Sequence, residues 1–128
     1  MYKFIIIIFI FLISCSKNEH EIPTYITINE FNLSSTSVSG SNSKNISDVW
    51  FYVNDSLQGI YELPAMFPVL KTGLNNVRLK AGIKVNGISS TRVAYPFFTS
   101  YLDTIQFSEN NNILISPNIN YSDNYNYI

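Results

Sequence analysis

Acid–base hydrolysis needs two carboxyl groups held a few ångströms apart, so the carboxylates are the first residues to weigh in this chain. Its body offers Glu30, Asp48, Asp55, Glu62, Asp103, Glu109 and Asp123. None lies in a recognisable catalytic motif, and most border turn residues, where a carboxylate is solvated or caps the backbone. His20 is the only histidine and Cys15 the only cysteine. Single copies exclude a multi-histidine metal centre, a cysteine-rich zinc site and a disulfide within one chain. His20 sits in a polar stretch with no scaffold to hold it against a nucleophile, and it reads as a solvated linker residue. The five glycines stand apart at turns and build no phosphate-cradling loop. No D-x-[DN]-x-[DN]-G spacing is present for calcium; Glu109 with Asn110 to Asn112 reads as a polar hairpin loop rather than a ligand set. The expectation is a non-enzymatic protein with no metal and no cofactor.

Aromatic side chains are what remains. They make up 15% of the 128 residues, while charged residues reach only 13%, about half the usual share. Trp50, Tyr52, Tyr61, Tyr95, Phe97, Phe98 and Tyr101 fall in two stretches. Exposed rings stack on sugars, and asparagine amides bond pairs of hydroxyls. The same rings would serve a protein interface, where Tyr and Trp are enriched, or would be consumed in packing within the chain. These three readings stay open. Trp50, Tyr52, Tyr95, Phe97, Phe98 and Tyr101 are the candidate contacts for a ligand or partner, with Tyr95-Pro96-Phe97-Phe98 as a rigid apolar knob. With 8 Lys+Arg against 9 Asp+Glu, no basic stripe exists to neutralise phosphates, which argues against nucleic acid.

The amino terminus carries the clearest pattern. Lys3 precedes an unbroken apolar run, Phe4 to Ile13, followed by Ser14 and Cys15. A helix of that length rises roughly 15 Å, half of what a membrane span needs, but it suits the apolar core of a signal peptide. Leu12-Ile13-Ser14-Cys15 resembles the lipobox of bacterial lipoproteins. The resemblance implies that residues 1–14 are removed, that the Cys15 thiol takes a diacylglycerol and that its new amino group is acylated. Two or three acyl chains anchor stably where one does not. Ser16 rather than Asp follows the cysteine, which by likeness to enteric lipoproteins implies the outer membrane. Residues 15–23 then form the lipidated cysteine and a polar tether ending at Pro23. Glu19 and Glu21 are a short version of the charged pattern that directs some lipoproteins to the cell surface; which face of the membrane the domain occupies stays open.

To position the aromatic residues, the rest of the chain, 24–128, offers strands and no helix. β-branched and aromatic residues dominate, apolar residues show no helical period, and Asn, Gly, Ser and Pro interrupt them at short intervals. Tyr25 to Leu33 reads as a first strand with a bulge near Glu30, where Ile26/Ile28 give way to Phe31/Leu33 in the opposite phase. Ser34 to Ser47 is a flexible polar loop. Asp48 to Val53 is a strand with Val49, Phe51 and Val53 on one side and Trp50 and Tyr52 on the other. Asn54-Asp55-Ser56 turns it into Leu57 to Leu63. Pro64 and Pro68 make the next piece an irregular connection or an edge segment. Asn76 to Ala81 alternates, Asn86-Gly87 predicts a two-residue hairpin, and Thr99 to Phe107 and Ile113 to Tyr121 are further strands. The tail, Asn120 to Ile128, is a last edge strand or a frayed end open to strand pairing. The expected architecture is a small antiparallel β-sandwich of six to eight strands.

Val49 to Asp55, Gly59, Leu63-Pro64, Gly73 and the alternating Val77-Arg78-Leu79 together resemble a PEGA-type surface module. That likeness covers about a quarter of the chain and implies an envelope-associated β-domain. Asn54-Asp55-Ser56 stands where that family often has Asp-Gly. The chain is also similar to envelope lipoproteins in which such a module precedes a larger β-domain, which implies one module of a longer protein or a shortened relative. The combined expectation is a lipid-anchored envelope interaction or assembly module, with membrane through Cys15 and an envelope protein or following domain as partners. A surface glycan-binding lipoprotein, with polysaccharide as ligand, is the alternative.

Overall fold

A computed structural model describes Tyr2 and residues 20–35 and 45–123. The rest of the expected signal segment, Cys15, the tether through residue 19, loop residues 36–44 and the tail from 124 lie outside the described residues. Between residue 20 and residue 123 the described chain is all-β, with two short 3-10 turns and no α-helix, and no helix long and apolar enough to cross a membrane. It contains β1 (Thr24–Ile28), β2 (Asn32–Ser34), β3 (Asp48–Val53), β4 (Ser56–Glu62) and β5 (Ala65–Val69). There follow β6 (Gly73–Lys84), β7 (Arg92–Ala94), β8 (Tyr101–Phe107), β9 (Asn112–Ile115) and β10 (Asn118–Asn120). These ten strands, more than the six to eight expected, form three sheets.

The largest sheet is antiparallel and curled into a half-barrel, in the order β4-β3-β6, with β8 and β7 sharing the far side of β6. Its first hairpin closes at Val53↔Ser56, so Asn54 and Asp55 alone make the turn. Both take positive φ, 49° and 66°, as a twist-matched two-residue turn demands and as Asn and Asp tolerate. Asn75 is buried beside this turn, accepting a hydrogen bond from the Asn54 amide at 2.9 Å and donating to the Thr72 and Gly73 carbonyls. The expected Asn76–Ala81 strand is the middle of the twelve-residue β6, because the alternation continues at both ends.

Two expectations about connections are corrected. Asn86 and Gly87 do adopt positive φ, yet they do not form a two-residue hairpin: pairing stops at Lys84↔Arg92, leaving Val85–Thr91 as a loop. There the Thr91 hydroxyl donates to the Val85 and Ile88 carbonyls, a local bond that competes with the ladder. The pairing is also not antiparallel throughout. β1 and β9 are parallel, as are β2 and β10. All of the five-stranded sheet intervenes between these partners, which supplies the long crossover that a parallel pair requires.

The phase change between Ile28 and Phe31 is a break between two strands, with Ile26 and Ile28 buried before it and Phe31 and Leu33 after it. The parallel partner breaks at the same level, between β9 and β10, where the Pro117 carbonyl accepts the Asn32 N–H at 2.8 Å. Proline has no N–H to return, so the ladder cannot run through. β5 is the edge alternative of the proline-bracketed segment: it pairs with β1 alone, with Pro68 opposite Tyr25.

One core joins these sheets. Ile26, Ile28, Phe31, Leu33, Phe67, Ile115 and Ile119 meet Val49, Phe51, Val53, Val77, Leu79 and Phe107, all buried. Phe51 of β3 and Phe67 of β5 lie 4.9 Å apart between ring centroids, and Tyr61 stacks on Phe67 at 3.8 Å. Burying each such phenylalanine contributes roughly 1.5–3 kcal/mol.

Candidate functional site

The residues expected to contact a ligand or partner fall into three separate places. Trp50 and Tyr52 project from β3 on the face opposite Val49, Phe51 and Val53, and both are half-buried. Arg78 and Lys80 of β6 flank Tyr52, with the guanidinium 4.5 Å and the ammonium 5.6 Å from its ring centroid. Trp50 lies across Gly82: a Cβ built there would come within 2.9 Å of the indole Nε1 and 3.1 Å of the Asp48 Cβ. Gly82→Ala is therefore expected to push the indole off the sheet, at a cost of about 1–3 kcal/mol. Urea unfolding and the Trp50 emission maximum check it: both should change together. This pair of rings is largely occupied by its own chain.

At the end of the same sheet face four charged residues interlock. Asp48 is fully buried, accepts from the Ser47 hydroxyl at 2.7 Å and lies 3.2 Å from Arg92 Nε. Arg92 also donates to Glu62 at 2.9 Å, and Glu62 accepts from Lys84 at 2.8 Å. The hydrogen bond and charge of Lys84, with a further contribution from Arg92, hold the Glu62 carboxyl below its ordinary value of 4.5. A lowered folded value means that Glu62 stabilises the fold above the ordinary range and loses that effect as pH falls through the lowered value. Wild type and Glu62→Gln should thus differ in urea midpoint at neutral pH and converge on acidification. Asp48 and Glu62 are cross-strand neighbours, and both are paired with Arg92.

Tyr95, Phe97 and Phe98 form the second place. The Tyr95 N–H donates to Ala81 at 2.9 Å, continuing the β7 ladder. Phe97–Thr99 then run antiparallel to Asn120–Ser122 through two backbone hydrogen bonds, Thr99 N–H to Asn120 at 2.8 Å and Ser122 N–H to Phe97 at 2.7 Å. This brings in Tyr121, a residue that sequence reasoning placed at a strand end and not in a site. Ring centroids are 4.7 Å apart for Tyr95–Phe98 and 5.2 Å for both Tyr95–Phe97 and Phe98–Tyr121. Tyr95, Phe98, Tyr121, Ile83, Lys84 and Asn45 line a pocket of about 250 Å³. That is below the range of drug-sized sites, roughly 300–1,000 Å³, and suits a single ring or side chain. Every ring in the cluster is half-buried, so each keeps an edge or face toward solvent.

Tyr101 is apart from both groups. It packs against the core, and its hydroxyl donates to Asp103 at 3.0 Å. Burial, and then the bond and charge of Asp103, push its ionisation above the ordinary tyrosine value. A second, open groove of about 530 Å³ lies among Asp55, Asn76, Val77, Leu102, Asp103 and Thr104, without an aromatic ring. His20 is exposed and lies before the first strand. No three His, Cys, Asp or Glu side chains converge as metal ligands among the described residues. Comparison with protein-family models, curated proteins and solved structures finds no match to this chain.

Proposed function

We propose that this protein is a lipid-anchored component of the bacterial outer membrane, whose β-sandwich domain works as a non-enzymatic interaction module. In this reading the half-barrel is one layer of the sandwich. The β5-β1-β9 sheet, extended by β2-β10, is the other. Cys15 carries the acyl chains and residues 15–23 give reach. The observation that carries the reading is the sequence Phe4–Ser14 before a lone cysteine, with the first strand among the described residues beginning at Thr24, directly after the polar stretch. The Tyr95-Phe97-Phe98-Tyr121 cluster is the contact surface in this reading, because its rings are held by backbone pairing yet only half-buried. A photo-crosslinking amino acid in place of Phe97, in intact cells, should trap one discrete envelope protein, and the same probe at the exposed Leu102 should not. Identical smears at both positions would overturn the assignment of the surface.

The pocket itself favours a second reading. Three aromatic residues, Tyr95, Phe98 and Tyr121, line it together with Asn45, the residue types that stack on and hydrogen-bond to a sugar ring. A polysaccharide panel tested by calorimetry distinguishes the readings: binding lost in Phe98→Ala supports a glycan site, and silence across the panel leaves the protein-partner reading in front. The Asp48–Glu62 pair does not supply the raised carboxyl that a general acid needs, because Glu62 is lowered and shares Arg92 with Asp48.

A further inference from the structure

The geometry points to a membrane-resting surface on the β5-β1-β9 sheet: its outward face lies on the lipid bilayer that holds the anchor. This rests on the anchoring reading above. β1 buries Thr24, Ile26 and Ile28 and turns Tyr25 and Thr27 outward. The register aligns Met66, Thr27 and Leu114 in one row across the three strands and Pro68, Tyr25 and Asn112 in a second. Leu70 continues the outward side of β5. Met66, Leu70 and Leu114 are 62%, 61% and 62% exposed, and Tyr25 is 40% exposed. None of these seven residues carries a charge. The outward face of β3 and β6 differs in being charged, with Asp48, Arg78, Lys80 and Lys84 on it alongside the exposed Leu74.

Met66, Leu70, Leu114 and Tyr25 thus stand exposed around a single polar pair, the Thr27 hydroxyl donating to the Asn112 side chain at 3.1 Å. An uncharged, largely apolar sheet face left in water marks an interaction surface, and the position of the tether selects the occupant. The Thr24 hydroxyl donates to the Ser108 carbonyl at 2.7 Å, and the Asn110 N–H donates to the Pro23 carbonyl at 3.1 Å. The tether thus meets the domain at a fixed point, the start of the central strand of this sheet. Eight residues, 16–23, lie between Cys15 and Thr24, a reach of at most about 30 Å. Acyl chains on Cys15 therefore hold this face beside the bilayer at high effective concentration. Tyrosine, methionine and leucine on an uncharged surface suit the boundary between headgroups and acyl chains. Ile22, exposed in the last residues of the tether, extends the apolar contact toward the anchor.

The test uses the full, lipidated chain reconstituted in vesicles of phosphatidylethanolamine and phosphatidylglycerol. Met66→Cys, Leu114→Cys and, on the other sheet, Leu102→Cys each receive a polarity-sensitive fluorophore; these positions are exposed, so the fold should tolerate the change. Emission at 66 and 114 should shift to the blue and be quenched by a spin label carried on lipid, and emission at 102 should do neither. Vesicle-bound protein with all three positions alike would overturn the surface while leaving the anchor standing. A blue shift with no quenching from lipid would mean that a second copy covers the face, and would overturn the proposal as well. Wild-type chain that fails to float with vesicles and whose Cys15 reacts as a free thiol would overturn the anchor first and this inference with it.

Discussion

Cys15→Ala should abolish incorporation of labelled fatty acid and shift the protein from the membrane to the soluble fraction. The size of the effect follows from acyl burial. Each methylene placed in the bilayer contributes about 0.8 kcal/mol, so one chain of a dozen or more contributes on the order of 10 kcal/mol, and a lipidated cysteine carries more than one. The remaining signal segment is no substitute, because Phe4 to Ile13 is too short to span. Radiolabelled palmitate followed by fractionation reads both consequences. Label that persists in the variant would mean that another residue is acylated, or that the signal has been misread.

Phe51→Ala should be the most damaging single change inside the domain. Phe51 is fully buried on β3 and faces Phe67 of β5 across the core, with Tyr61 stacked behind that ring. Removing it leaves a cavity that flanking strands, held by ladders on both sides of β3, cannot collapse into. Phenylalanine-to-alanine changes at such sites cost roughly 3–5 kcal/mol, against a total stability of about 5–15 kcal/mol for an ordinary domain. In urea the midpoint should fall by roughly 2 M, given typical slopes for a domain of this size. Trp50, on the other face of the same strand, reports the transition. A midpoint within a few tenths of a molar of wild type would mean that β3 does not pack on β5.

Residues whose pattern is local were legible from the sequence. Val49, Phe51 and Val53 alternate with Trp50 and Tyr52, and the structure places the first three in the core and the other two on the outer face. Asn54 and Asp55 announced a turn by their tolerance of positive φ, and Pro68 announced an edge by its missing N–H. The switch of phase between Ile28 and Phe31 was visible too, although its form, a break matched by Pro117 in the neighbouring strand, depends on a partner more than eighty residues away. Parallel pairing of β1 with β9 has no local signature, because either strand alternates identically whichever direction its neighbour runs. β10 offers only Ile119 between two asparagines, too short a pattern to separate from the loop around it.

The candidate site followed the same rule. Single aromatic residues could be nominated from composition, but their grouping depends on register. Trp50 and Tyr52 share a strand face, Tyr95, Phe97 and Phe98 join Tyr121 through backbone pairing, and Tyr101 belongs to neither group. Asp48, Glu62, Lys84 and Arg92 are scattered over 45 positions of sequence and become one ionic network only where β3, β4, β6 and β7 come side by side. The uncharged row of Met66, Thr27 and Leu114 is likewise contributed by three strands, two of them antiparallel and two parallel, so no segment of the chain displays it.

The most direct test of the central claim is mass spectrometry of the amino-terminal peptide from protein extracted with membranes. The anchored reading requires a peptide that begins at Cys15, lacks residues 1–14 and carries a thioether-linked diacylglycerol together with an acylated amino group. A peptide that retains the Phe4–Ile13 run, or one that begins elsewhere with Cys15 unmodified, would contradict it.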